Sequence, residues 1–466
     1  MNNKTYKIII PILVAFVMQS CFTAKTYDRP QVKTDDLYRM ETVSTDSTSL
    51  ADLTWNNLFT DPLLQEYINK GLQNNLDIRI AMQNIVAAEA SMKQGKAKYF
   101  PTLGIGADWT HQELSRNSQF GALLRDRNTD QYQLTGNLSW EADIWGKIRS
   151  NKRATVATYL QSVAAKQAVQ TELIANIAKM YFQLMSLDAQ LKVLDSTLIN
   201  RKESIEVIKA LKDAGNVTEV GVRQTLAQQY AAEIIKEDVK NSITILENAF
   251  NILLGESPKQ VKRSNFEAQN GFTPNINVGI PVQLLRKRPD VIAAEYNLIS
   301  NFEMTNAAKS EFYPSLRITA TAGLQSIDID KLFSANSLFA NIVTGLTQPV
   351  FNQRQIKTRH EIAKANQEKA YLQFQQSLLI AGREVSDALQ QYNNETKKLE
   401  IRKRQVDALK SAAEFSDELL EFGLANYLEV LTAKDQALST ELSLIDNQFN
   451  QYSSIITLYK ALGGGN

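Results

Sequence analysis

Proline is missing from two long stretches of this 466-residue chain. Its ten prolines stand at positions 11, 30, 62, 101, 258, 274, 281, 289, 314 and 349, so none falls between Pro101 and Pro258 and none follows Pro349. Glycine is missing as well from Lys147 to Ala214, and only Gly382 interrupts Gln353 to Phe422. Without either breaker, and rich in Ala, Leu, Gln, Lys and Glu, each stretch predicts one unbroken helix. At roughly 1.5 Å per residue such a rod reaches about 100 Å, which excludes an ordinary compact domain.

Histidine and cysteine are nearly absent. His111 falls in a predicted outer loop and His360 on a rod, neither with a partner at metal-ligand spacing, so no metal site is expected. Glu141 and Asp143 close a predicted strand and read as a rim rather than as a general acid/base pair, so neither an enzyme nor a cofactor is expected. Charge of either sign is not in excess: 51 basic against 50 acidic residues leave +1, which removes the electrostatic footprint of nucleic-acid binding. Long apolar runs are missing except at the start. There, Lys4 and Lys7 precede an eleven-residue run from Ile8 to Met18, too short to span a bilayer and suited to a signal peptide, residues 1–20. The run ends at Met18-Gln19-Ser20-Cys21. The only cysteine cannot form an internal disulfide, and its place predicts a lipoprotein acylated at Cys21, although Met18 and Gln19 depart from the usual lipobox. Residues 21–54 then form an extended linker held at a membrane surface.

What the chain does have is a unit used twice. Leu76-Asp77-Ile78 and Tyr99-Phe100-Pro101 return as Pro289-Asp290-Val291 and Phe312-Tyr313-Pro314, both at an offset of 213. Asp143 to Ile148 parallels Pro349 to Arg354 at 206, and Gly215 parallels Gly423 and Leu254 parallels Leu462 at 208. Each unit reads as helix, strand pair, long helix, glycine turn and return helix. The first repeat is placed at 55–255, an inter-repeat linker (the equatorial region) at 256–280, and the second repeat at 281–466. Leu184, Leu187, Leu191, Leu194 and Leu198 are spaced three and four apart, a coiled-coil seam. Asp213-Ala214-Gly215-Asn216 and Glu421-Phe422-Gly423-Leu424 predict the tips of two antiparallel helical hairpins.

Strands are expected at about 102–110, 130–140, 315–325 and 338–350. Tyr132, Leu134, Gly136, Leu138 and Trp140 alternate with polar residues, as do Leu316, Ile318, Ala320, Ala322 and Leu324, while the fourth segment alternates poorly. One apolar and one polar face over about ten residues fits a membrane β-barrel wall, with Trp109, Tyr132 and Trp140 at girdle height. Four strands leave two open edges, which lipid does not tolerate. Three copies would give twelve strands and a closed barrel. The fold class is therefore mainly α with a membrane β part, closed only as a homotrimer.

The stretches Ile280-Pro281-Val282-Gln283-Leu284-Leu285-Arg286-Lys287-Arg288-Pro289-Asp290-Val291, Phe312-Tyr313-Pro314-Ser315-Leu316, Asn426-Tyr427-Leu428-Glu429-Val430-Leu431 and Leu458-Tyr459-Lys460-Ala461-Leu462-Gly463 resemble the TolC family of outer-membrane channels. The resemblance is to its lipoprotein branch, which serves resistance-nodulation-division (RND) efflux systems, and covers nearly everything after residue 50. It implies a trimeric TolC-like α/β-barrel in the outer membrane of a Gram-negative bacterium, anchored at Cys21, with its rods crossing the periplasm. An adaptor (membrane-fusion) protein and an inner-membrane RND transporter are the implied partners, and outer-membrane lipid surrounds the barrel. Gly215, Asn216, Gly423 and Asn426 become the adaptor-facing tips. Asp417 matches the family position of a periplasmic carboxylate ring, with Glu414, Glu418 and Glu421 as neighbouring gate candidates. The function implied is passive exit of small toxic compounds. Alternatives are a duct for type I protein secretion or metal cations, and, from another class, a periplasmic coiled-coil protein with a soluble sheet. The basic cluster Arg286-Lys287-Arg288 before Pro289 and Asp290 reads as a helix start and inter-element contact rather than an anion site.

Overall fold

The computed structural model describes residues 24–31, 37, 50–119, 122–123, 127–266 and 284–465. The expected signal peptide, Cys21 and much of the two linkers lie outside them. Following a short helix at Trp55–Leu58, the elements are α1 (Pro62–Asn74), α2 (Leu76–Ala97), β1 (Thr102–Glu113), β2 (Asn128–Ala142), α3 (Lys147–Asp213) and α4 (Glu219–Leu253). After one helical turn at Leu284–Lys287 come α5 (Pro289–Ser310), β3 (Ser315–Ser326), β4 (Leu338–Thr347), α6 (Gln355–Glu421) and α7 (Tyr427–Ala461). None of the described helices is long and apolar enough to cross a membrane.

The repeat holds element by element. Both α2 and α5 have 22 residues, α3 and α6 have 67, and α4 and α7 have 35. One landmark is corrected. The sequence match of Asp143–Ile148 to Pro349–Arg354 sets the junctions 206 apart, but the rods start at Lys147 and Gln355, 208 apart. The residue before each rod is left-handed, Gly146 at φ 75° and Arg354 at φ 66°. The match at 206 misleads because it pairs side chains in unlike surroundings. Trp145 stacks on Tyr313 at 4.9 Å and donates to the Pro314 carbonyl at 2.7 Å, whereas Phe351 is 90% exposed. The last strand also stops at Thr347 rather than 350, just before Pro349, which has no N–H to continue a ladder.

Residues 24–30, 85–161 and 295–373 form one compact unit. It holds an antiparallel sheet in the order β1-β2-β3-β4. Below the strands, the Lys152 ammonium lies 5.6 Å from the Tyr99 ring centre, and its counterpart His360 meets the Phe312 ring at 5.5 Å. The N-terminal stretch is fastened to α5. Asn306 donates to the Lys25 carbonyl at 2.9 Å, and Arg29 grips both oxygens of Glu295 at 2.6 and 2.7 Å.

Residues 50–84, 162–266, 284–294 and 374–465 belong to the second unit. Its core surrounds the middle of α3. There Leu173, Ile174, Ile177, Ala178, Tyr181, Phe182, Leu184 and Met185 are all buried, more than one helix face can hold. Asp61 caps α1 and also accepts from the Tyr181 hydroxyl at 2.9 Å. Burial pushes that phenol up to about 12. Arg263, just past α4, pins the chain to Asp188 and Glu247, with Nη contacts of 2.7 and 2.6 Å.

Candidate functional site

The strand registers carry the alternation of single strands across the whole sheet. Leu103 stands opposite Leu138, which stands opposite Ala320, which stands opposite Ile342. The next row on this face runs Ile105, Gly136, Ala322 and Ala340, and the one after it Ala107, Leu134, Leu324 and Leu338. The fourth strand, irregular when read alone, completes this face through Leu338, Ala340, Ile342, Thr344 and Leu346. On β1, β2 and β3 the opposite face is polar: Asn137 bonds Thr321 at 2.8 Å, and Glu141 lies between Lys147 at 3.0 Å and Arg317 at 3.5 Å, while β4 adds Phe339 and Val343 to it. Of the girdle candidates, Trp109 and Tyr132 are directly opposed at one end, where the Trp109 indole donates to Asp130 at 3.0 Å. His111 also contacts Asp130, at 2.9 Å. Trp140 lies at the other end and donates to the Tyr99 carbonyl at 2.9 Å.

At the first hairpin tip, Gly215 has φ 79° and donates to Lys212, while Asn216 donates to Leu211, both at 2.9 Å. At the second, Gly423 has φ 72° and donates to Leu420, while Leu424 donates to Leu419. Both are Schellman turns, which satisfy the last helical carbonyls through a left-handed residue that glycine adopts without strain. Asn426 is the N-cap of α7, its side chain accepting from the Leu428 N–H at 3.1 Å.

The four acidic candidates near Gly423 are not equivalent. Glu414, Glu418 and Glu421 are exposed, whereas Asp417 is half-buried and paired with Lys434 of α7 at 2.8 Å. Lys434 also reaches Ser204 of α3 at 3.1 Å. Its neighbour Asp435 takes the Arg201 guanidinium at 3.0 Å, and Arg201 also holds Gln228 of α4. The two hairpins are therefore cross-tied by Arg201, Lys434, Asp417 and Asp435, a set that sequence reasoning missed apart from Asp417. A signal was present. The three-and-four spacing of the seam continues from Leu194 and Leu198 through position 201 to Ile205 and Ile208, so Arg201 is a charged residue at a seam position.

Residues 67–256 and 280–464 match the sequence profile of the family described as outer membrane efflux protein. The chain belongs to the outer membrane efflux protein family. It is 30% identical over 416 residues to the toluene efflux pump outer membrane protein TtgI of Pseudomonas putida, covering 87% of this chain and 86% of that one. It is 27% identical over 468 residues to the probable outer membrane lipoprotein SilC of Salmonella typhimurium, covering 98% of each. A crystal structure of a membrane protein from Pseudomonas aeruginosa superposes with a TM-score of 0.87 at 25% identity, over 95% of this chain and all of the other. As a member of the outer membrane efflux protein family, this chain is a passive outer-membrane channel component and not an enzyme.

Proposed function

We propose that three copies of the chain close a twelve-stranded barrel in the outer membrane, continued below by a helical duct. This assembly is the exit of a tripartite pump, passively releasing small toxic compounds received from an inner-membrane RND transporter through a periplasmic adaptor. One observation carries the reading: a four-stranded sheet with one mainly apolar face, whose outer strands β1 and β4 have no further strand beside them among the described residues. Lipid accepts such a sheet only if the edges are closed, and one chain has too few strands to close on itself. Acylation at Cys21 agrees with the chain just beyond it, from Ala24, being fastened to α5. The tips at Gly215, Asn216 and Gly423 face the adaptor, and Asn426 shapes the second tip by capping α7. Asp417, held by Lys434, narrows the periplasmic mouth together with Glu414, Glu418 and Glu421.

The test is the mass of the detergent-solubilised protein together with its single-channel conductance in a planar bilayer. A trimer with small, cation-preferring conductance is expected, and Asp417→Ala raises it. A monomer without conductance overturns the duct, and unchanged conductance in Asp417→Ala takes that residue out of the gate.

A further inference from the structure

The internal repeat determines how one copy meets the next. Since β2 and α3 recur 208 residues on as β4 and α6, and β1 and α2 recur 213 residues on as β3 and α5, the contact between the repeats can be transposed. Whatever β3 and α5 do on β2 and α3 inside one chain has a counterpart in which β4 and α6 receive β1 and α2. A single chain has no second β1 and α2 to offer, and its surface shows the gap. Ala154 and Ala164 on α3 are each 3% exposed, while their counterparts Ile362 and Leu372 on α6 are each 55% exposed. On the other side, Ile80 and Val86 of α2 are 60% and 54% exposed, although their counterparts on α5, Ala293 and Ile299, are half-buried. Large apolar side chains are therefore bare where the other repeat is covered, which identifies the missing cover as another copy of this chain.

We infer that β4 of one copy pairs antiparallel with β1 of the next in one particular register, with Leu346 opposite Ala107 of the next copy. That register transposes the observed pairing of Leu138 with Ala320 and keeps the apolar faces aligned across the seam. The rods follow: the contact of Thr158 with Ser300 at 3.1 Å transposes to Asn366 of α6 against Ala87 of the next copy's α2. The inference rests on the trimeric-duct reading and adds to it the residue pairs of the seam.

Cysteine pairs test it. The double variant Leu346→Cys with Ala107→Cys is oxidised in membranes with copper-phenanthroline and run on non-reducing gels, with each single variant as the control for Cys21. Directly opposed residues lie within disulfide reach, and neighbours displaced by two, about 7–8 Å away, do not. The expected result is covalent dimers and trimers from this pair, and severalfold less from Leu346→Cys combined with Ile105→Cys or with Trp109→Cys. Asn366→Cys with Ala87→Cys, which leaves the sheet untouched, is expected to cross-link too and serves if the strand variant does not assemble. Cross-links only from a displaced pair, or none from either designed pair in a protein of trimer mass, overturn the register. Absence of trimer mass in the unsubstituted protein instead brings down the duct reading itself.

Discussion

The two repeats place a hydrogen-bond donor at the same point and build it from different chemistry. In the first, Asn75 caps α2 through the N–H groups of Asp77 and Ile78 and donates its amide to the Leu253 carbonyl at 3.0 Å. In the second, the residue 213 positions later is Arg288, which donates to Ala461, the counterpart of Leu253, at 3.2 Å. Arg288 also binds Asp290 through two nitrogens and Glu384 at 2.7 Å. Despite burial, which pushes it up, the Asp290 carboxyl is held below the usual range by Arg288. The repeat thus conserves the place of a donor rather than its identity, and the charged version has more to lose. Arg288→Met takes the partner from two partly exposed carboxylates, so solvent reduces the cost of breaking a buried pair to about 2 kcal/mol, against about 1 kcal/mol for Asn75→Ala. Thermal unfolding in detergent measures both, and equal losses would break the comparison.

A second contrast lies between the two ends of each hairpin. Gly255 and Gly463, which end the return helices at φ 69° and 88°, face backbone carbonyls: an added Cβ would come within 2.6 Å of the Asn74 oxygen or 2.5 Å of the Lys287 oxygen. The tip glycines Gly215 and Gly423 are left-handed too, but a Cβ there meets open space. Alanine at the tips should cost about 1 kcal/mol, the strain of the conformation alone. Alanine at Gly255 or Gly463 should cost distinctly more, since a carbonyl must also move. Melting temperatures of the four single variants rank them.

A smaller effect of opposite sign is expected at the rod starts. Gly146 suits its left-handed backbone, and a Cβ there would also come within 3.2 Å of the Ala24 side chain. Its counterpart Arg354 holds the same conformation with a full side chain, tethered to Glu361 at 3.0 Å. Arg354→Gly should therefore stabilise by about 1 kcal/mol, read as a raised melting temperature, while Gly146→Ala destabilises.

The parts of this fold legible in the sequence are those set by local rules. Missing prolines and glycines announce the rods, strict alternation announces β2 and β3, and Gly215 and Gly423 announce the turns. The rest depends on what lies across the gap. The fourth strand, irregular alone, gains its meaning from the register with β3. The core around Tyr181 and Phe182 is buried on all sides, which a seam counted from leucines alone does not reveal. Asp417 stands out only through the family resemblance, and its surroundings are set by Lys434 on the opposite helix, a partner that no spacing along one helix displays.

The mildest contrast is between two aspartates at equivalent places on the return helices, Asp238 on α4 and Asp446 on α7, 208 residues apart. Both side chains are exposed, but Asp446 accepts from the Gln190 amide of α3 at 2.7 Å. Desolvation by its neighbours pushes the Asp446 carboxyl above its ordinary value of 3.8, and Gln190 only partly opposes this. A carboxyl that holds its proton more tightly when folded makes no difference below the unfolded value. It lowers stability as pH rises past about 3.8, and the full penalty is present once the folded value is exceeded. Asp446→Asn keeps an acceptor for Gln190 and removes the charge. Its melting temperature should exceed that of the parent at pH 7, and the gain should vanish as pH falls below 3.8. A gain that persisted in acid would mean that the amide stabilises by packing, and the difference between the two aspartates would lose its electrostatic basis.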